Sequence, residues 1–181
     1  MMDARDVLID LLEDNNRRLH RQLKNMSNDC LLWKPELGAN SISITIWHMA
    51  RMLDVFLTQQ ARGASSREES WFRCGWAEQT GYDPNGLGQN GWGMLTGYTQ
   101  AEVTAMPQLT KAQVLDYLDC VYDAVKEYLE GMSAEKLQMP GGGFEGKFTI
   151  YQCIQMALLD NVRHLGEIFA IEASWNRRVK H

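Results

Sequence analysis

The chain has 181 residues, 45% of them hydrophobic, which is enough for one continuous core and too little for two independently folded halves. Its formal net charge is −5, from 18 basic and 23 acidic residues, with neither sign gathered into a long block. That balance argues against nucleic acid or a membrane surface as partner and leaves small molecules or proteins.

The N-terminal MMDARDVLIDLLED carries acids at every turn, unlike a secretory signal, and no apolar run approaches the ~18 residues of a membrane span. The expectation is therefore a cytoplasmic protein. Apolar residues then recur at three- and four-residue steps in Val7, Leu8, Leu11, Leu12, Leu19, Leu23 and Met26, with Asp3 placed as a cap, predicting a first helix over about 4 to 26. A turn follows at SNDCLLWKPELGAN, and Asn40 or Ser41 can cap a second helix that stops near Gly63. Its predicted inward stripe is Ile44, His48, Met52 and Val55.

Residues 64 to 108 have a different composition, with Trp71, Trp76, Trp92, Tyr82 and Tyr98 interleaved with glycines, and REESWFRCGWAEQ suits a short helix. A connection of that length inside a compact domain is usually a lid or binding loop, so the tryptophans are expected to border the cavity that holds His48. The third helix opens on a capping box, Thr110 to Gln113, continues through Val114, Leu118, Val121, Val125 and Leu129, and ends at Gly131. After a Pro-Gly-Gly-Gly loop at 140 to 143, Thr149 to Gln152 forms a second capping box. Ile150, Cys153, Ile154, Ala157, His164, Ile168 and Ile171 then make one helix face, which also carries Asp160. The fold class expected is all-α: one domain over 1–181, a four-helix bundle with a long crossover insertion, about 64–108, between helices two and three.

Four cysteines, Cys30, Cys74, Cys120 and Cys153, lie far apart without a CxxC pair and read as reduced thiols. The chemistry gathers instead at DNVRHLGEI, where Asp160 and His164 stand four residues apart and project from one helix face. A third ligand from a facing helix would complete a half-open metal site, and His48 is the obvious one. The plainer alternative makes His48 and His164 core histidines satisfied by carbonyls, with Asp160 paired to Arg163 or Arg51.

Two stretches carry a family resemblance. LLWKPELGANSISITIWHMARMLD resembles the region around the first metal histidine of the DinB/YfiT-like superfamily, and RHLGEI is similar to its fourth-helix H-x-x-x-H-x-G-[QE]-I signature. LTGYTQAEV, at 95 to 103, resembles a T-G-[MY]-T-x-x-E-V segment of one branch. The resemblance implies a bundle holding one divalent metal ion, commonly zinc or nickel, through His48, Asp160 and His164. The middle ligand is usually histidine; an acid there resembles the mycothiol-dependent maleylpyruvate isomerases, and Asp160 either binds the ion or orients a water on it.

Characterised relatives imply metal-assisted S-transfer from a low-molecular-weight thiol to a small electrophile, with no individual catalytic residue assigned. The alternative from another class is a non-catalytic, stress-associated metal-binding protein or dimeric interaction protein, and a homodimer is expected in either case. A third reading is a metal-free helical scaffold. Gly166 is expected to permit close helix approach, Glu167 to sit on the rim or in an ion pair, Trp47 to be core, and His20 and His181 to be surface groups.

Overall fold

The computed structural model describes residues 3–36 and 38–178; His181 lies outside them. Four long helices form the bundle: α1 (Ala4–Leu23), α3 (Ile42–Val55), α7 (Lys111–Glu130) and α9 (Ile150–Arg178). Short helices fill the connections: α2 (Asn28–Leu32), α4 (Ser70–Arg73), α5 (Trp76–Thr80), α6 (Gln100–Ala105) and α8 (Ala134–Leu137). Among the described residues there is no strand, only an isolated bridge between Pro140 and Thr149.

The expected caps start the helices. Asp3 and Asp6 form a capping box at α1, Ser41 accepts from the Ile44 amide at α3, and Thr110 and Gln113 cap α7 reciprocally. Within the segment resembling T-G-[MY]-T-x-x-E-V, Thr99 and Glu102 are the capping box of α6. In the bundle, α3 packs against α7 and α9, and α1 against the same two, so α1 and α3 are diagonal. Leu12, Leu19, Ile46, Leu53, Leu118, Val121, Ile154 and Leu165 are among the buried residues of the shared core.

Helix α3 departs from a simple amphipathic pattern. Ile44 and Met52, expected inward, are its partly exposed residues, whereas nearly every other position is buried. The cause is the insertion, which covers the side of α3 that a plain bundle would leave to water. Arg51, 0% exposed, donates through Nη1 to Glu69 Oε2 at 2.7 Å, through Nε to the Gly93 carbonyl at 3.0 Å and through Nη2 to the Trp92 carbonyl at 3.1 Å. Asp54, equally buried, accepts from the Ser70 and Trp71 amides at 2.7 and 2.9 Å, the first turn of α4, and from the Tyr117 hydroxyl at 3.0 Å. Burial pushes the Asp54 and Glu69 carboxyls up, against the Arg51 charge that pulls both down.

Aromatic packing completes this anchor. Trp71 is wedged against Tyr117, ring centroids 4.9 Å apart, and against Trp47 at 5.9 Å. Beyond Val55 the helix continues as a π-helical turn, Phe56–Ala61, on which the glycine loop docks: the Gly143 amide donates to Gln60 O at 3.0 Å and the Gly142 amide to Ala61 O at 3.3 Å. A Cβ on Gly142 would lie 2.3 Å from Gly63 Cα, so both crossing backbones need glycine there.

Cys30 and Cys153 are free and buried, as reduced thiols would be. The sulfurs of Cys74 and Cys120 meet across 46 residues of sequence and set the end of α4 against α7, with Cα atoms 7.5 Å apart, wider than a disulfide spans. Their separation in sequence hid that the insertion folds back along α7.

Replacing Arg51 with methionine should leave Glu69 without its cation, held only by Gln59, and two carbonyls unpaired in the interior, and cost about 3–5 kcal/mol in urea unfolding. Hydrogen exchange should rise first between residues 66 and 96. An Arg51→Met variant as stable as the parent, with unchanged exchange there, would contradict this account of the anchor.

Candidate metal centre

His48 lies on α3, and Asp160 and His164 on α9. The packing of these two helices brings one donor atom from each residue within 4.8 Å of the other two. His48 Nε2 is 3.2 Å from Asp160 Oδ2, and His164 Nε2 is 3.5 Å from the same oxygen. Two ligands of a tetrahedrally held ion, each ~2.1 Å from it, lie about 3.4 Å apart, so these separations suit one small divalent ion.

Both imidazoles are oriented from behind. His48 Nδ1–H donates to the Met94 carbonyl, and His164 Nδ1–H donates to Glu167 Oε2 at 2.6 Å. Each Nε2 thereby faces Asp160. A neutral imidazole has one N–H, so with Nδ1–H spent the bare Nε2 lone pair of each ring meets a carboxylate, lone pair against lone pair. Either the rings take up protons or a cation sits between them, and the donor set of two imidazole nitrogens and a carboxylate is one that divalent metals accept.

Without an ion, the same need is met by protonated rings: burial raises the Asp160 carboxyl, but a His48 hydrogen bond and the charges of His48, His164 and Arg163 outweigh it and lower it. The hydrogen bond to Glu167 raises His164 despite partial burial, helped by Asp160. Glu167 thus fulfils the expectation of an ion pair, and the pair has a use: it fixes the tautomer of a candidate ligand.

The proposed partners of Asp160 are placed otherwise. Arg51 is committed to the insertion, and Arg163 acts on Asp160 only through its charge. The site opens into a cleft of about 280 Å³ lined by Asn40, Thr45, Leu95 and Thr96 besides the three candidate ligands. The insertion does reach the site, but through Leu95 and Thr96 rather than through its tryptophans. Trp71 and Trp76 are core, and Trp92 packs on Phe56 and Phe144. Large rings were better satisfied by the bundle core than by a polar cleft. Leu95 holds a left-handed φ of 77°, a strained backbone beside the very carbonyl that receives His48.

Trp47 is core, as expected, and His20 pairs at the surface with Asp119 at 2.8 Å. Gly166 does not serve close helix approach, since a Cβ there would meet nothing within 4 Å. The Met94 carbonyl and Thr45 went unnoticed in sequence. A main-chain acceptor has no residue signature, whereas Thr45 stood three residues before His48 and so on the same face.

The family described as the DinB superfamily matches residues 11–168. The crystal structure of a conserved protein from Enterococcus faecalis superposes with a TM-score of 0.76 at 19% identity, covering 96% of this chain and 98% of that one, which shows a shared fold. No curated protein matches the chain.

The raised His164 group gives a pH dependence. In chelator-treated protein its pairing with Glu167 stabilises the fold fully below the ordinary value of 6.5 and ceases to do so as pH rises through the raised folded value. The melting temperature of the parent should therefore exceed that of Glu167→Gln most at about pH 6 and less at about pH 8. An advantage that grew with pH would contradict the assignment.

Proposed function

The chain belongs to the DinB superfamily, and from that premise we propose that it binds one divalent ion, zinc or nickel, through His48, Asp160 and His164 and serves as a metal-dependent S-transferase between a low-molecular-weight thiol and a small electrophile. The observation that carries this reading is the shared orientation of the two imidazoles: both Nδ1 atoms are occupied and both Nε2 atoms face one carboxylate. A bound ion with an open position acts as a Lewis acid and lowers the pKa of a thiol or water that reaches it. His48 and Asp160 hold their places through the packing of α3 on α9. Glu167 keeps the His164 proton on Nδ1, and the insertion, through Leu95 and Thr96, narrows the entrance. Among the described residues no helix is long and apolar enough to cross a membrane.

A second reading is a non-catalytic metal-binding homodimer. Leu159, Val162 and Phe169 lie exposed along α9, and Gly166 stands open between them, which suits a second copy of the chain.

Metal analysis of purified protein should find one zinc or nickel per chain. His48→Ala and His164→Ala should lose stoichiometric binding, and Glu167→Gln should weaken it by ~10–100-fold. Asp160→Ala should match the histidine losses if the carboxylate is a direct ligand, and Asp160→His should retain the ion. Thiol transfer to an electrophilic probe should follow occupancy across these variants when bacillithiol, mycothiol, glutathione and coenzyme A are each offered. Loaded protein no faster than free metal with all four would leave only the metal-binding reading, and a dimer in sedimentation would then support the second.

A further inference from the structure

Cysteine is among the most buried of residue types, and Cys30 and Cys153 follow that habit. Cys74 does not. It is exposed at the C-terminal end of α4, where burial gives no reason for a cysteine, and its sulfur meets that of the half-buried Cys120 on α7. Two thiols brought together at the surface from positions 46 residues apart are placed to react with each other and with what reaches them from solvent.

A cleft opens beside the pair. Its volume is about 430 Å³, and its walls include Arg73, the residue before Cys74, and Ala124, one turn of α7 beyond Cys120. Arg73 is exposed and makes no ion pair among the described residues, and Arg62, also in the wall, is held only by Glu68 at 3.6 Å. Glu127 adds one carboxylate, and Tyr128 adds apolar surface. The cleft thus offers guanidiniums to a carboxylate and a carboxylate to an ammonium group, the two charges that an α-amino acid carries.

We propose that Cys74 and Cys120 form a redox-active pair that exchanges with small disulfides of amino-acid type, docked in this cleft by their carboxylate and ammonium groups. The exposed Cys74 thiolate attacks one sulfur of the disulfide, forming a mixed disulfide and expelling the first thiolate. Cys120 then attacks the Cys74 sulfur, closes the Cys74–Cys120 bond and expels the second. The protein's dithiol is oxidised, the small disulfide is reduced, and the two thiol protons leave on the two product thiols. Closure also moves the backbone, because the Cα atoms stand 7.5 Å apart and a disulfide joins Cα atoms about 4.4–6.8 Å apart. Helix α4, whose first turn Asp54 holds, must therefore approach α7. An exposed bond stays open to reduction by thiols, so the change reverses.

The test uses the full-length chain, reduced and freed of reductant, and three disulfides of like length: cystine, cystamine, which lacks the carboxylates, and dithiodipropionate, which lacks the amines. Each rate is divided by that of the same reagent with a free model thiol, and products are read by intact mass and peptide mapping. Cystine should oxidise the parent to a Cys74–Cys120 disulfide about 3-fold faster on this scale than either analogue, the order of one exposed ion pair, and leave Cys30 and Cys153 free. Arg73→Gln should lower the cystine rate to that of cystamine and leave the cystamine rate unchanged. Cys120→Ser should accumulate the half-cystine adduct on Cys74, and Cys74→Ser should form no adduct at a comparable rate. Equal rates with the three disulfides, or an Arg73→Gln protein that still prefers cystine, would overturn the proposed ligand. Mapping that shows no Cys74–Cys120 bond, or an adduct first on Cys120, would overturn the pair itself.

Discussion

Arg51 is a full positive charge with no exposure to water, and a buried guanidinium is tolerable only where acceptors surround it. Its own helix supplies Asp54 at 3.8 Å, and the insertion supplies the rest: Glu69 and the carbonyls of Trp92 and Gly93. The long crossover is thus obliged to fold back onto α3 in one register. Because Met94 follows Gly93, satisfying Arg51 also delivers the carbonyl that turns His48 toward Asp160. Along three successive steps of α3, His48 faces the candidate site, Arg51 the neck of the insertion and Asp54 its first helix. Fold and site share that one buried charge.

The same arrangement explains what could be read from the sequence. Four long helices and their starts were legible because capping boxes and three-to-four periodicity are local properties, and Thr110 with Gln113 needs nothing beyond its own turn. Asp160 and His164 were legible for the same reason, and His48 from its place on the apolar stripe of a facing helix, to which the resemblance around it added. What stayed hidden depended on contacts across the fold. An arginine on an amphipathic helix reads as solvent-facing until something covers it, and only the returned insertion covers Arg51. The Cys74–Cys120 contact needs the same return, and the tryptophans of the insertion looked like a lid because their core partners, Tyr117 and Trp47, are distant or on another element.

Asp160 in place of a third imidazole changes the character of the centre. Two neutral rings and a carboxylate leave a divalent ion with one net positive charge rather than two, and Glu167 behind His164 offsets more of it. The ion would be a gentler Lewis acid and a harder, more oxygen-tolerant one than in an all-histidine set. The two rings are also unequal: His48 leans on a neutral carbonyl and His164 on an anion, which makes the second the more basic donor.

Asp160 lies 112 positions beyond His48 in the chain. No short segment can assemble the donor set, since the two residues on α9 are a bidentate pair at best and the third donor waits on the far side of the insertion. During synthesis a growing chain would carry His48 exposed through most of elongation without being able to close around an ion, and metallation would have to follow release of α9 from the ribosome. An ion held by all three donors would therefore report that α3 and α9 have docked, and would come late in assembly rather than nucleate it.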